Sequence, residues 1–444
     1  MLAGLATLIG ALGLIWQSQS ALSDNVALFW CLAACMQIGA FGLWQSKFAP
    51  TAWGVLALAC VLHAAALLGR PMFEDDYYRY LWDGYQTAIG NPYTFAPEIF
   101  FADPNVPQAM RGALDGINNP EIPTIYGPLA QRIFALGYYI APGNERALRA
   151  VLAMLHLGLI GIVLFFTRSL VAEQAHATRR LLVLYLASPL VFKEIALTGH
   201  FDFLVPMGLI AAWLCLQPQH DTASKTGQYS AGALLGLAFA SKVVALLALP
   251  LFVWRGGWRA IFGFALAVAV LYWPFLQGGV SELAGLGAFA DAWRFNSGVF
   301  ALLEHFGGSG FAKTVAAVLV VGLTAVCSAH AKHSFSELPA LCVAMFAALI
   351  LLGPVINPWY WLWLAPLLPL CVGKARIAFA VSSIGMLLLL SYGHGLYFPQ
   401  ISSSQNSLAP YALPAALQWC EHLSIALLVL GCVWPRADVE KASL

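Results

Sequence analysis

The sequence contains few charged residues, and their scarcity excludes a water-soluble fold. Charged residues make up 10% of the 444 residues, whereas hydrophobic residues make up 60%, and the mean hydropathy is +0.76. A typical soluble domain is about 25% charged and about 45–50% apolar. A single globule could not hide this much apolar surface from water, so lipid has to surround most of the chain.

Three further features are scarce or absent. No run of basic residues resembles a nucleic-acid-binding patch, and no G-x-x-x-x-G-K-[ST] loop occurs, which excludes a nucleotide site of the P-loop kind. None of the nine cysteines lies in the long polar segment 70–127, so no disulfide holds that segment. Cys31 and Cys35 lack a neighbouring His or carboxylate, and we interpret them as apolar packing residues.

Apolar runs long enough to cross a bilayer recur along the whole chain, which predicts an all-α, polytopic membrane protein with one integral domain over residues 1–444. A spanning helix needs about 20 apolar residues. The first run lacks the basic start and cleavage site of a signal peptide, so we interpret it as a retained span. The short run 128–141 is expected at the interface or packed against the bundle. Candidate spans are 2–17, 26–44, 51–68, 146–166, 180–198, 201–216, 259–276, 312–330, 338–353, 358–372, 375–395 and 416–434.

The basic residues between these spans predict the orientation of the chain through the positive-inside rule. With the N-terminus inside, the segment 70–127 is the first long external loop, and it carries eight acidic residues against three arginines. We therefore expect a protein of the cytoplasmic membrane with this loop on the extracytoplasmic face. The residues then predicted to lie inside are Lys47, Arg168, Arg179, Arg180, Lys225, Lys332, Lys374, Arg376, Arg436 and Lys441.

The apolar run 229–253 fits this orientation as a hairpin. Lys225 before it and Arg255 and Arg259 after it should share the inner side. Two short helices broken near Ser241–Lys242 would satisfy this, and broken helices in membranes usually line a cavity. A single span with Arg255 and Arg259 outside is the alternative.

Candidate chemistry is concentrated at the start of the external loop, where Glu74, Asp75 and Asp76 directly follow an apolar span. Like charges this close raise one another's pKa, which suits a general base. Asp75 and Asp76 could equally hold a divalent cation, magnesium or manganese, together with phosphate oxygens. The structural alternative is a cap on the outer face whose charges simply face water.

The residues that follow the acids have helical spacing. Asp76, Arg79 and Asp83 occur at i, i+3 and i+7, which places them on one face of a helix. Aromatic rings stack on sugar faces and also form interfacial belts. Five such rings within nine residues, interleaved with acids, favour the sugar-binding interpretation: Tyr77, Tyr78, Tyr80, Trp82 and Tyr85.

The passage DDYYRYLWDGYQTAIGNPY resembles the first external loop of GT-C glycosyltransferases that use polyprenyl-phosphate sugars. It is most similar to bacterial polyprenyl-phosphomannose-dependent mannosyltransferases and to the related glycosyltransferase family 87. The family pattern has two outward-facing carboxylates where this chain has three, so the choice of base between Asp75 and Asp76 stays open. The matching elements are Asp75–Asp76, Arg79–Tyr80, Trp82–Asp83–Gly84, Gly90–Asn91–Pro92–Tyr93 and, at the end of the loop, Tyr126 in IYGPLAQ.

Two further passages resemble elements of the same family. His200 and Asp202 in LTGHFDFL resemble its G-H-x-D element, with a solvated turn as the alternative. Asn357 and Tyr360 in PVINPWYWLW resemble its N-P-W-Y-x-x-W element, with an interfacial anchor as the alternative.

Four charged residues outside the acidic loop also bear on the site. Lys242 and Arg294 are candidate ligands of a lipid phosphate, with a snorkelling lysine and a surface arginine as the alternatives. Lys193 and Glu194 precede His200 and are interpreted as a structural ion pair.

The resemblance implies a GT-C-like bundle of about 11–13 transmembrane helices, with short helices and the active site in the loop 70–127. It implies inverting transfer of a hexose, mannose in the relatives, from a polyprenyl-phosphate donor to a lipid- or glycan-linked acceptor. Asp75 or Asp76 would be the catalytic base, and Arg79 with Lys242 or Arg294 would stabilise the departing phosphate. The implied substrate-binding residues are Glu74, Arg79, Trp82, Asp83, Asn91, Tyr93, Tyr126, His200, Asp202, Lys242, Arg294, Asn357 and Tyr360.

Two other functions remain as alternatives on sequence grounds. A transporter or flippase of lipid-linked sugars would suit buried charges and broken helices, but it predicts inverted repeats, and none is detectable. A surface-polysaccharide polymerase or ligase would place its large external loop late in the chain, whereas here the large loop comes early.

Overall fold

The structure, a computed structural model, describes residues 2–217, 223–276, 282–393, 397 and 413–433. Within these ranges the regular elements are helices, and one parallel β-bridge joins Phe295 to Val355. This confirms the all-α class. The α-helices, in chain order, are α1 Leu2–Gln19, α2 Val26–Gln45, α3 Ala52–Ala66, α4 Asp76–Ile89, α5 Gln108–Asp115, α6 Pro128–Ile140, α7 Glu145–Phe166, α8 Ala172–Leu186, α9 Pro189–Val191, α10 Leu204–Cys215, α11 Lys225–Ser241, α12 Leu249–Tyr272, α13 Glu282–Ala292, α14 Gly298–His333, α15 Leu338–Leu352, α16 Ala375–Leu388 and α17 Ala415–Val433.

Eight helices in the described part of the chain are long and apolar enough to cross a membrane. A ninth is obtained if α8 and the segment Pro189–Thr198, which are bent by 57° at their junction, count as one span. Two shorter apolar helices are α3 and α10. The multi-pass architecture is therefore confirmed, with fewer full-length spans than the number expected from apolar runs. The eight are Leu2–Gln19, Val26–Gln45, Glu145–Ser169, Val243–Phe275, Gly298–His333, Phe335–Leu352, Ala375–Gly393 and Ala415–Val433.

The span predicted at 358–372 is wrong. This run forms two short 3-10 helices, Pro358–Trp363 and Ala365–Leu370, in the interior of the bundle. Pro366 and Pro369 cannot donate a backbone hydrogen bond and clash with the preceding turn of an α-helix. The indole of Trp361 instead fixes the run by donating to the carbonyl of Val381 at 2.8 Å.

The hairpin predicted for 229–253 is confirmed. Helix α11 ends at Ser241, and Lys242 is extended, with φ −156° and ψ 127°. The chain then returns, because the side chain of Gln228 donates to the carbonyl of Arg255 (3.3 Å) and accepts from the guanidinium of Arg259 (3.2 Å). Gly257, with φ +60°, reverses the chain once more inside α12, a conformation that favours glycine.

Helix α6 provides the support for the acidic loop. At Gly84 of α4, a Cβ atom would lie 2.5 Å from the carbonyl oxygen of Phe134 in α6, so only glycine permits this crossing. The expectation that 128–141 packs against the bundle is therefore confirmed. At the start of the loop, buried Arg149 of α7 donates to the carbonyls of Ala66 (3.0 Å) and Gly69 (2.9 Å), which fixes where the chain leaves α3.

Candidate active site

The acidic loop forms one wall of a cavity of about 1030 Å³. Residues 73–76 and the first turns of α4 face the segment 117–126 from the end of the same loop. The break after α11 at 242–244 and the run 349–363 complete the wall. This volume is at the upper end of the range of small-molecule sites, about 300–1,000 Å³, and it leaves room for a sugar and part of a lipid.

Glu74 lies at the inner end of the cavity, and the chain occupies both of its oxygens. Oε1 accepts from the ammonium of Lys193 and the hydroxyl of Tyr392, and Oε2 accepts from Nε2 of His200. Burial alone would raise the pKa of Glu74, but the charges of His200 and Lys193 lower it to about 2. A carboxylate with a lowered pKa is a weak proton acceptor, so Glu74 is poorly suited to serve as the base.

Lys193 and Glu194 form the ion pair expected from the sequence, at 3.2 Å, and the structure adds further partners to it. Both side chains are fully buried, and the hydroxyl of Tyr392 lies 2.8 Å from Oε1 of Glu194. Tyr392 belongs to no motif, and its sequence neighbours give no signal of this role. We call Glu74, Lys193, Glu194, His200 and Tyr392 the inner cluster.

The inner cluster contains three groups whose donor atoms could hold a metal ion. Oxygens of Glu74 and Glu194 and a nitrogen of His200 lie within 4.8 Å of one another. Lys193, however, already binds both carboxylates with its ammonium group. The ammonium therefore already supplies positive charge to the two carboxylates of this donor set.

Asp75 and Asp76 face the open part of the cavity. Asp75 accepts a 2.5 Å hydrogen bond from the side-chain amide of Asn118, a residue of the loop that the sequence did not single out. Burial, and then the charges of Asp76 and Glu74, raise the pKa of Asp75 to about 6. Burial is also the main cause that raises the pKa of Asp76, the first residue of α4.

His200 and Asp202 are fully buried, so the solvated-turn alternative is wrong. The imidazole of His200 stacks on Trp359, which lines the cavity, with ring centroids 4.6 Å apart. Its Nδ1 lies 3.0 Å from the hydroxyl of Tyr80. The interaction with Glu74 outweighs burial and raises the pKa of His200.

Lys242 reaches the cavity from the break after α11, and its side chain is 15% exposed. Its ammonium binds Oδ1 of Asp202 at 2.5 Å, and the same oxygen accepts from the indole of Trp363 at 2.7 Å. The rings of Tyr360 and Trp363 lie 5.3 and 5.4 Å from the ammonium, within cation–π range. Lys242 is therefore held on the cavity wall rather than snorkelling to an interface.

The structure brings eight of the sequence-predicted site residues to the cavity wall and leaves the others behind it. Arg79 reaches the wall, but its guanidinium donates to the carbonyls of Asn119 (2.9 Å) and Ile122 (3.0 Å), so it shapes the loop rather than facing a phosphate. The eight are Glu74, Asp75, Asp76, Arg79, Tyr126, Lys242, Asn357 and Tyr360.

Four residues expected to bind substrate instead hold the loop together. Trp82 packs against Phe100, with ring centroids 5.3 Å apart, and buried Asp83 accepts from the side chains of Thr124 and Gln131. Asn91 and Tyr93 are also used internally. The former donates to the carbonyl of Phe275 (3.2 Å) and the latter to that of Tyr126 (2.8 Å). The strong motif thus predicts the architecture of the loop as much as its chemistry.

Arg294 does not line the cavity, although its neighbours Trp293 and Phe295 do, in contrast to its expected role at the phosphate. Its guanidinium donates to both carboxylate oxygens of Glu304, at 3.2 and 3.0 Å. The guanidinium that was expected to bind a phosphate is therefore bound to the carboxylate of Glu304.

Comparison with known families identifies the first part of the chain. Residues 5–256, more than half of the 444, match the family model described as "Alpha-(1->6)-mannopyranosyltransferase, N-terminal domain". The chain belongs to this family of mannosyltransferases. It is therefore a glycosyltransferase, as the resemblance implied. No curated protein and no solved structure matches the chain.

The mannosyltransferase match covers most of the polar site residues but not the whole cavity. Asp75, Asp76, His200 and Lys242 lie within it, while Tyr392 lies far beyond its end at residue 256. The unmatched part of the chain thus contributes side chains to the same site, and the two parts work as one unit.

Proposed function

We propose that this mannosyltransferase takes mannose from a polyprenyl-phosphate donor in the outer leaflet and transfers it, with inversion, to a lipid- or glycan-linked acceptor. The observation that carries the proposal is that acidic and basic side chains line the same cavity. Two carboxylates with raised pKa values, Asp75 and Asp76, line the same cavity as the aromatic-caged cation Lys242. One side suits an acceptor hydroxyl and the other suits a phosphate.

The donor side of the cavity combines a cation with an apolar wall. Lys242 is followed directly by Val243 and Val244, and Leu349 and Ile350 lie on the same cavity. An ammonium group can bind a phosphate oxygen in a charge-assisted hydrogen bond, while an apolar surface accepts a prenyl chain. Because the phosphate is anionic and leaves with the lipid, Lys242 would stabilise charge as the bond breaks.

We assign the base to Asp76. Asp75 is engaged by Asn118, whereas the charges of His200 and Lys242 both act on Asp76. In the transfer step, the acceptor oxygen bonds to the anomeric carbon and the bond from that carbon to the phosphate oxygen breaks. The acceptor's proton passes to Asp76, and the polyprenyl phosphate leaves as an anion. Attack opposite the leaving group inverts the anomeric configuration.

The distribution of basic residues supports an extracytoplasmic position of the site. Arg168 follows the end of α7, where the ring of Phe166 packs on Trp213 at 5.3 Å. The indole of Trp213 donates to the carbonyl of Phe335 (3.2 Å), and the guanidinium of Arg255 lies 4.9 Å from the ring of Phe335. Basic residues from distant parts of the chain therefore gather at one end of the bundle, the inner end by the positive-inside rule.

The acidic loop lies at the other end of the same helix. Arg149, near the start of α7, binds Gly69 at the beginning of the loop. Arg168 lies beyond the end of this 22-residue helix. A 22-residue helix is about 33 Å long, enough to span the hydrocarbon core. If the end bearing Arg168 faces the cytoplasm, the cavity faces outside.

Transfer from labelled polyprenyl-phosphate mannose by purified protein in lipid tests the donor, and Lys242→Met tests how it is bound. We expect this substitution to raise KM for the donor about 10- to 100-fold, the effect of losing one charged hydrogen bond. The matched control is Lys225→Met, at the far end of α11 and exposed to solvent. We expect it to behave as wild type.

The outcomes of this assay separate the proposed enzyme from its rivals. Wild-type protein that releases no mannose from any polyprenyl phosphate, but moves the lipid-linked sugar across the bilayer, would support a flippase. If Lys242→Met transfers mannose from the lipid donor with an unchanged KM, then Lys242 does not bind the donor phosphate.

We also propose that transfer does not require magnesium or manganese. Lys193 binds Glu74, and Lys242 binds Asp202. The charge of Lys242 also acts on Asp76, so cations of the chain already offset acidic groups of this cavity. We expect chelation with EDTA to leave the rate of mannosyl transfer within about twofold, less than the cost of one charged hydrogen bond. A rate that is lost in EDTA and restored by either ion would instead place a cation between Asp75 and Asp76.

A further inference from the structure

A row of hydrogen-bonding groups connects Asp76 with the buried anion Glu74. Oδ2 of Asp76 lies 3.5 Å from the hydroxyl of Tyr80, one helical turn further along α4. That hydroxyl lies 3.0 Å from Nδ1 of His200, and Nε2 of His200 binds the carboxylate of Glu74. The row brings together the external loop and the segment between α9 and α10, which are more than 100 residues apart in sequence.

The chemistry of each group fixes the direction of these hydrogen bonds. An ionised carboxylate can only accept, so Nε2 of His200 carries a proton and donates to Glu74. In a neutral imidazole, Nδ1 is then an acceptor and receives the proton of the Tyr80 hydroxyl. In a charged imidazole, Nδ1 donates to Tyr80, and the hydroxyl of Tyr80 is turned toward Asp76. The row therefore has two complete hydrogen-bonding states that differ by one proton.

We infer that Tyr80 and His200 form a proton relay that removes the acceptor's proton from Asp76 and holds it beside Glu74. The proton on Asp76 moves to the oxygen of Tyr80, while the hydroxyl proton of Tyr80 moves to Nδ1 of His200. The products are an ionised Asp76 and an imidazolium paired with the Glu74 carboxylate. After the glycosylated product leaves, the proton returns along the same row to Asp76 and passes from there to water in the cavity, which resets both groups. The inference rests on the proposed role of Asp76 as base, and it makes Tyr80 and His200 positioning residues.

The surroundings of His200 suit a group that holds a charge without moving. The imidazole is fully buried, stacks on Trp359 with an interplanar angle of 8°, and meets the ring of Tyr80 edge-on at 6.1 Å. Tyr80 is 1% exposed and stacks on Phe134 at 4.8 Å. Both rings are therefore held in place. The distance of 3.5 Å to Asp76 is long, as catalytic hydrogen bonds often are before substrate binds.

The charges around the relay favour a proton on His200. The charged groups that act on His200 are Glu74, Glu194 and Asp76, which are all acidic. Lys193, the nearby cation, is paired with the two glutamates. Glu74 leads these groups in raising the pKa of His200 above 6.5, against the effect of burial.

The groups that act on the other end of the relay, at Asp76, are of both signs. They are His200 and Lys242, which lower its pKa, and Glu74 and Asp202, which raise it together with burial.

Tyr80→Phe tests the relay because it removes one hydroxyl and keeps the ring that packs on Phe134. We expect kcat for mannosyl transfer to fall about 10- to 100-fold, the lower part of the range for proton-transfer groups, with KM for donor and acceptor unchanged. In the wild type, kcat should fall as the pH drops through the raised pKa of His200, above pH 6.5, because a charged imidazole cannot accept the proton. This limb should be absent in Tyr80→Phe.

The matched controls are Tyr139→Phe, in exposed α6 surface, and His176→Gln, in exposed α8 surface, and both should match the wild type. His200→Gln should lower kcat as Tyr80→Phe does, and the double variant should be no slower than the slower single one, since both interrupt one path. If His200→Gln does not fold, Tyr80→Phe and its pH profile still decide the matter.

The results distinguish a wrong relay from a wrong base. A Tyr80→Phe variant with wild-type kcat and an unchanged acid limb, alongside inactive Asp76→Asn, overturns the relay and leaves the base in place. An active Asp76→Asn variant overturns the proposed base, and the relay with it. A Tyr80→Phe variant in which only KM rises would mean that the hydroxyl binds substrate and carries no proton.

Discussion

Replacing Asp76 with asparagine is expected to lower kcat for mannosyl transfer by about 100- to 10,000-fold, the range typical of a lost general base. Asparagine keeps the size and the hydrogen-bonding capacity of the side chain but cannot take a proton at any pH used in an assay. KM for the donor should change little, because Lys242 and the apolar wall remain. The measurement is initial rates of transfer from labelled polyprenyl-phosphate mannose at several donor concentrations.

Two other carboxylates in the same loop serve as comparisons for this substitution. Asp115→Asn, at the exposed end of α5, should have no effect. Asp75→Asn should reduce the rate far less than Asp76→Asn, since Asn118 already engages that carboxylate. The reverse order, with Asp75→Asn inactive and Asp76→Asn active, would transfer the role of base to Asp75.

The pH dependence of the wild-type rate follows from the same groups. A base must be ionised, and burial raises the pKa of Asp76 from its usual 3.8. Activity should therefore decline with falling pH at values above 3.8, where an exposed aspartate would still be ionised.

Lys193→Met is expected to have the largest effect on stability. Its ammonium is fully buried between Glu74 and Glu194, so its removal leaves two acidic groups without a counter-charge that they share. Breaking a buried pair in this way costs about 3–5 kcal/mol. In detergent, the midpoint of thermal unfolding should fall by roughly 3–5 °C. Mannosyl transfer should also be lost, because Glu74 positions His200.

A compensating substitution checks the electrostatic origin of this loss. Glu74→Gln in the Lys193→Met background removes one of the uncompensated acids and should restore part of the unfolding temperature. Lys47→Met, on the exposed surface between α2 and α3, is the matched control and should unfold as the wild type does. An unfolding temperature in Lys193→Met equal to that of the wild type would show that the inner cluster does not depend on this charge.

Local patterns in the sequence predict the parts of the fold that depend on local chemistry. The hairpin at 229–253 follows from the positions of Lys225, Arg255 and Arg259, because basic residues in short loops are concentrated on the cytoplasmic side. The acidic start of the loop and the breaker at Gly90–Tyr93 likewise define α4, which runs from Asp76 to Ile89. The 3-10 run at 358–370 shows the limit of hydropathy, which detects an apolar stretch but not the helix-breaking effect of its prolines.

Contacts between distant residues could not be predicted in the same way. Nothing near Tyr392 indicates that its hydroxyl meets Glu74, 318 positions earlier. The motif around Trp82 and Asp83 marks both as important, but a motif does not distinguish a residue that touches sugar from one that fastens a loop. Which of them faces the cavity depends on the packing of α4 against α6, and that is a property of the tertiary fold.

The proline-containing run 358–370 also bears on how the protein is made. Two 3-10 helices of six residues each are too short to cross a bilayer as an independent span, which needs about 20 residues. The run has to be inserted together with α15 and α16, which enclose it. Tyr392, which follows α16, is synthesised later still. Glu74 therefore lacks this hydrogen-bond partner through most of translation. A ribosome stalled before this point would therefore expose an immature protein with an incomplete centre to membrane quality control.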